Sequence, residues 1–163
     1  MSNWTLKHKI ARFVATGGYS GLSPIMPGTV GSIAAFLISV VVFKSFALQS
    51  HITVCLTLVA ICTVAGLCCC RCLLRSDHYD AKNHDPQEFV IDEFAGYFVT
   101  VVGLTEHTGQ LLLGLLCFRV FDILKPPPVN TVEQLPGAWG IMLDDIVAGI
   151  YAAMLCRAVL SFW

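Results

Sequence analysis

From Ile52 to Cys70 the chain carries no charged side chain. A helix of about 20 apolar residues is long enough to cross the hydrocarbon core of a bilayer, and only a helix satisfies its own backbone there. This run sets the reading of the rest. Val30 to Leu48 is a second apolar run, broken only by Lys44. Phe94 to Thr105 and Leu111 to Leu124 are shorter, and Ile146 to Trp163 closes the chain with Arg157 near its end. EHTGQ makes a turn between the short runs, and Pro126, Pro127 and Pro128 stop the second of them, since proline cannot continue a helix. Residues 135–140 read as a loop. The expected fold is all-α, an integral membrane helical bundle of four to five apolar helices behind an amphipathic N-terminal segment, with one domain over residues 1–163. The two short runs either cross or form a re-entrant hairpin.

Composition agrees. The chain is 56% hydrophobic and 13% charged, where soluble domains carry about a quarter charged residues. Its net charge of -1 and the lack of any basic stripe exclude a nucleic-acid partner. The start, MSNWTLKHKIARF, lacks the long apolar core and small-residue site of a cleavable signal peptide. Of the eight cysteines, most lie inside apolar runs and read as buried small hydrophobes. Cys69 to Arg75 matches the C-x5-R spacing of a phosphate-binding loop, but its leucines and its place after an apolar span make the match incidental. No CxxC pair with matching histidines points to zinc.

Lysine and arginine cluster in two places, the N-terminus (Lys7, Lys9, Arg12) and the loop after Cys70 (Arg71, Arg75, Lys82). The excess of positive charge on cytoplasmic segments puts both inside. The starts of the first, third and fifth apolar runs and the end of the fourth then share the cytoplasmic face. Those four places hold every unusual motif in the chain, one of them the Gly- and Pro-rich stretch 21–32. Asp92 and Glu93 open the third run, Arg119, Asp122 and Lys125 close the fourth, and Asp144 and Asp145 open the fifth.

Charge beside apolar runs is costly and usually functional. Each cluster also has a plain structural reading: acids stabilise helix N-termini, and Arg119, Asp122 and Lys125, at i, i+3 and i+6, can form an ion-pair ladder. Adjacent carboxylates, however, form a ligand set for Mg²⁺, which takes oxygen ligands from one or two carboxylates plus substrate phosphate. Asp144 and Asp145 are about 100° apart on a helix, so only one can face a given ion. Arginine suits bidentate phosphate contact and lysine supplies a point charge. Gly21, Gly28 and Gly31 in GLSPIMPGTVGS allow close approach, and Ser23, Thr29 and Ser32 offer hydroxyls near a helix N-terminus, where phosphate can bind. His78, His84, Asp77, Asp80 and Asp85 belong to a solvated polar loop.

Four stretches together, GLSPIMPGTVGS (21–32), DPQEFVIDEFAG (85–96), RVFDILKPPP (119–128) and LPGAWGIMLDDIVAGIYA (135–152), resemble the phosphatidylglycerophosphatase A family. Their order and spacing match from about residue 12 onward. The resemblance implies a Mg²⁺-dependent lipid phosphatase of the bacterial inner membrane, multi-pass, with its active site facing the cytoplasm. It would convert phosphatidylglycerophosphate to phosphatidylglycerol and phosphate. It also implies that the bundle need not depend wholly on lipid, since the family includes soluble all-helical relatives.

The expected site then has metal on Asp92, Glu93, Asp122 and Asp145. Asp144 completes the catalytic acids, and substrate phosphate rests on Arg119, Lys125, Thr29 and Ser32. Attack by an activated water and a covalent aspartyl intermediate both remain open. Phosphatidic acid or another lipid phosphomonoester is an alternative substrate. A proton- or ion-coupled transporter is the alternative class, although no repeat is evident and the acids gather at one face. A structural subunit would leave the acid clusters unexplained.

Overall fold

The computed structural model describes residues 4–46, 50–76, 79, 86–105 and 107–162. Asp77, His78, Asp80, His84 and Asp85 lie outside the described residues. Among those described there are helices and turns and no strands. The helices are α1 (Leu6–Ala15), α2 (Pro27–Ser45), α3 (His51–Leu74), α4 (Ile91–Val101), α5 (Thr108–Leu124), α6 (Val129–Val132) and α7 (Ala138–Leu160).

α4 is the centre. It packs against α2, α3, α5 and α7, which is why Phe94, Ala95, Tyr97, Phe98 and Val101 are all buried. The Tyr97 hydroxyl donates to the Leu111 carbonyl at 3.0 Å and fixes α4 to α5. On the α7 side, Thr100 Oγ1 donates to Gly96 O (3.0 Å) and to Gly149 O (3.3 Å), where the two backbones nearly touch.

Two helices, α2 and α3, are long and apolar enough to cross a membrane. Four to five apolar helices were expected, the two short ones either crossing or forming a re-entrant hairpin. α4, with 11 residues, rises about 16 Å, and α5, with 17, about 25 Å, against a hydrocarbon core of about 30 Å. α7 has the length but carries Asp144, Asp145 and Arg157. α3 is no covered core helix: Ile52, Leu56, Ile61 and Val64 are all exposed. His51 closes the α2–α3 hairpin, stacked on Phe43 (centroids 4.3 Å apart) with Nε2 3.0 Å from the carbonyls of Phe43 and Phe46.

α1 is amphipathic as expected. Thr5 caps it, and Ala11 and Ala15 face the core while Leu6, Ile10 and Phe13 remain exposed. Arg12 clasps Glu88 at 2.7 Å beneath Trp4, and Tyr79 donates to the same carboxylate. The hydrogen bond to Glu88 raises the Arg12 pKa; burial first, and then Glu88, raise that of Tyr79. Val90 N donates to Ala15 O at 2.9 Å, so the clasp holds the segment that leads into α4.

The last helix differs from expectation. Residues 135–140 were expected as a loop, but α7 begins at Ala138, directly after Gly137 at φ 63°. Gly140 is a packing glycine inside the helix, against the carbonyls of Leu135 and Glu133. Asp144 and Asp145 therefore lie well inside α7, not at its start, and a capping role is excluded. Cys69 to Leu74 is helical, so the C-x5-R stretch forms no phosphate loop.

Candidate active site

A cleft of about 570 Å³ opens where α4 and α2 begin, α5 ends and α7 has run about two turns. Asp92, Glu93, Arg119, Asp122, Lys125, Asp144, Asp145 and Thr29 all line it. The four elements thus bring all but one of the expected residues together. The exception is Ser32, which is fully buried. Its hydroxyl donates to Gly28 O at 2.8 Å and accepts from Arg119 at 3.4 Å, so it supports the guanidinium from behind.

One ligand oxygen each from Asp92, Glu93 and Asp145 lie within 4.8 Å of one another. Asp92 and Asp145 are buried, and Glu93 Oε2 is enclosed with no hydrogen-bond partner. Asp92 accepts from Glu93 N at 3.1 Å. Asp122 stands near enough to Glu93 and Asp145 to repel both. Such a group of carboxylates away from water needs a cation, or protons, among them. All-oxygen donors are what a divalent hard cation takes, and the orphaned Glu93 oxygen leaves a coordinating position to fill. Gly28 makes room for this group, because a Cβ there would collide with Glu93 and stand 3.4 Å from Arg119.

The cationic side is already paired. Arg119 bonds Asp122 one turn along α5. Lys125 does not extend that ladder. It caps α5 in the left-handed region, at φ 42°, before Pro126 stops the helix. That turn carries Nζ to Asp144 (2.8 Å) and Glu133 (2.6 Å). Burial works against the Lys125 ammonium, but the two carboxylates outweigh it and raise its pKa. The neighbours on α7 thus divide: Asp145 joins the carboxylate trio, and Asp144 turns to Lys125 with its second oxygen buried and unpartnered.

Several contributors escaped the sequence reading. Glu133 is one, since nothing about its spacing signals a partner for Lys125. Gly96 and Gly149 are another. Small residues on helices that carry acids are a usable signal, because only they let α4 approach α7 closely. Met26, Phe89 and Ile123 add apolar surface to the cleft.

Comparison with known proteins gives the chain its class, that of a lipid phosphatase. The chain belongs to the phosphatidylglycerophosphatase A family, whose model, described as Phosphatidylglycerophosphatase A, matches residues 13–160. It is 33% identical over 159 residues to the phosphatidylglycerophosphatase A of Escherichia coli K12, covering 92% of this chain and 83% of that one. The Haemophilus influenzae protein of the same name is 33% identical over 152 residues, covering 92% and 88%. A Bacteroides thetaiotaomicron relative, provisionally named a phosphatidylinositol-3-phosphatase, is 29% identical over 145 residues, covering 87% and 88%. No solved structure matches.

Proposed function

We propose that this chain hydrolyses the terminal phosphomonoester of phosphatidylglycerophosphate, at the cytoplasmic face of a bacterial inner membrane and with Mg²⁺ as cofactor. The observation that carries the reading is the carboxylate trio of Asp92, Glu93 and Asp145, set in one cleft with Arg119 and Lys125. The matched family and two relatives bear the name of this activity. The exposed apolar faces of α2 and α3 support a membrane setting.

Asp92, Glu93 and Asp145 would hold the cation, with Asp122 beside them. A divalent ion there supplies Lewis-acid stabilisation of phosphate charge. The residues do the rest. Arg119, steadied by Ser32 and Asp122, presents a planar donor set to phosphoryl oxygens. Lys125, held between Asp144 and Glu133, supplies positive charge for the oxygens or the leaving group. Thr29, whose hydroxyl is buried without a partner at the start of α2, is free to donate to a bound phosphate. Phe89, buried at the edge of the cleft, limits water there.

Substrate choice is tested by phosphate release from phosphatidylglycerophosphate, phosphatidic acid and phosphatidylinositol 3-phosphate in matched detergent micelles. The reading expects a preference for phosphatidylglycerophosphate of at least tenfold in kcat/KM. Equal or greater turnover of another lipid would reassign the substrate.

A further inference from the structure

The cleft has one apolar edge, and its composition is unusual. Met26 and Ile123 both line the cavity, yet they are 59% and 63% exposed. Met26 precedes α2 at φ 48°, a left-handed conformation that a non-glycine side chain rarely adopts without cause. Ile123 stands one residue from Asp122, with a different orientation on α5. The outer faces of the two packed helices continue the edge: Leu37 and Val41 on α2, and Leu116 and Val120 on α5, are exposed apolar residues at helical spacing.

We infer that the acyl-chain end of the lipid substrate leaves the site across Met26 and Ile123 and lies along the exposed apolar faces of α2 and α5. The inference rests on the lipid-phosphatase reading and adds the route. The occupant follows from complementarity within one molecule. The charged wall takes the phosphate, so the remainder of an amphiphile must leave by the apolar edge, and the exposed apolar residues of α2 and α5 continue from it. Met26 and Ile123 are thus specificity-determining positions that act on lipid binding.

Two measurements test this. In the first, Met26→Gln and Ile123→Asn proteins are assayed with long-chain phosphatidylglycerophosphate and with water-soluble glycerol 3-phosphate. Met154→Gln, at an exposed site on α7, serves as control. The expected result is a KM for the lipid raised about tenfold at unchanged kcat, with glycerol 3-phosphate and the Met154 variant unaffected. An equal change for both substrates, or none for the lipid, overturns the route.

The second measurement needs no turnover. Phosphatidylglycerophosphate with a photoreactive acyl chain is crosslinked to the wild-type protein, beside phosphatidylcholine with the same chain. Labelling enriched over that control on the outer faces of α2 and α5 supports the route. Labelling spread evenly over α2, α3, α5 and α7 overturns it. Enriched crosslinks in a protein that releases no phosphate would retain the lipid route and remove the hydrolase reading.

Discussion

Gly96 on α4 and Gly149 on α7 face each other so closely that a Cβ on Gly149 would stand 3.0 Å from the Gly96 carbonyl carbon. A Cβ on Gly96 would likewise stand 2.9 Å from the carbonyl carbon of Asp145. This contact lets Asp92 and Glu93, in the first turn of α4, reach Asp145. Replacing either glycine by alanine should separate the helices at an overpacking cost of about 1–3 kcal/mol. The Gly149→Ala protein should melt several degrees lower and lose most of its phosphate release. An unchanged melting temperature and rate would show that the approach is not needed.

The carboxylate trio predicts an inverse relation between stability and activity. Without a cation, Asp92, Glu93 and Asp145 repel one another. Asp145→Asn should therefore melt a few degrees higher than wild type in EDTA. If the wild type gains stability from Mg²⁺, as proposed, the same variant should lose that gain, together with about 10²–10³-fold in kcat. Thermal melting with and without Mg²⁺ reads both effects, and a variant less stable than wild type in EDTA would contradict the arrangement.

Lys125 is held by two carboxylates, one of them buried. Lys125→Met leaves Asp144 without its partner, at a cost of about 2 kcal/mol given the partial exposure of the lysine. The double variant Lys125→Met/Asp144→Leu should recover much of that stability but not the activity. Denaturant melts and rates of the three proteins separate the two roles.

Arg12 and Glu88 join α1 to the segment before α4. Arg12→Ala should cost about 1 kcal/mol through the ion pair and the stacking on Trp4. It should speed proteolysis within residues 4–15 and leave kcat within a few-fold, because no clasp residue lines the carboxylate trio. Limited proteolysis beside a rate assay checks this.

Much of the candidate site could be read from the chain, because its charges stand beside apolar runs, where charge is costly. Asp92, Glu93, Asp122 and Asp145 were legible in this way, and their gathering followed from the alternating direction of the helices. The start of α7 was not legible. Pro136, Gly137 and Gly140 read as turn residues, yet Gly140 serves close packing within a helix, so Asp144 and Asp145 lie deeper than capping residues would. Which apolar runs are long enough to cross a membrane was not legible, because α4 owes its apolar character to burial by neighbours on all sides, which periodicity alone cannot separate from burial in lipid. The pairing of Lys125 with Glu133 depends on a left-handed turn at a lysine, for which sequence carries no signal.

The most direct test of the account is phosphate release from phosphatidylglycerophosphate by wild-type and Glu93→Gln proteins, each folded in detergent, in Mg²⁺ and in EDTA. The account predicts release by the wild type in Mg²⁺ alone and at most a trace from the variant in either condition. Wild-type release that persists undiminished in EDTA, or a variant as active as wild type, would contradict it.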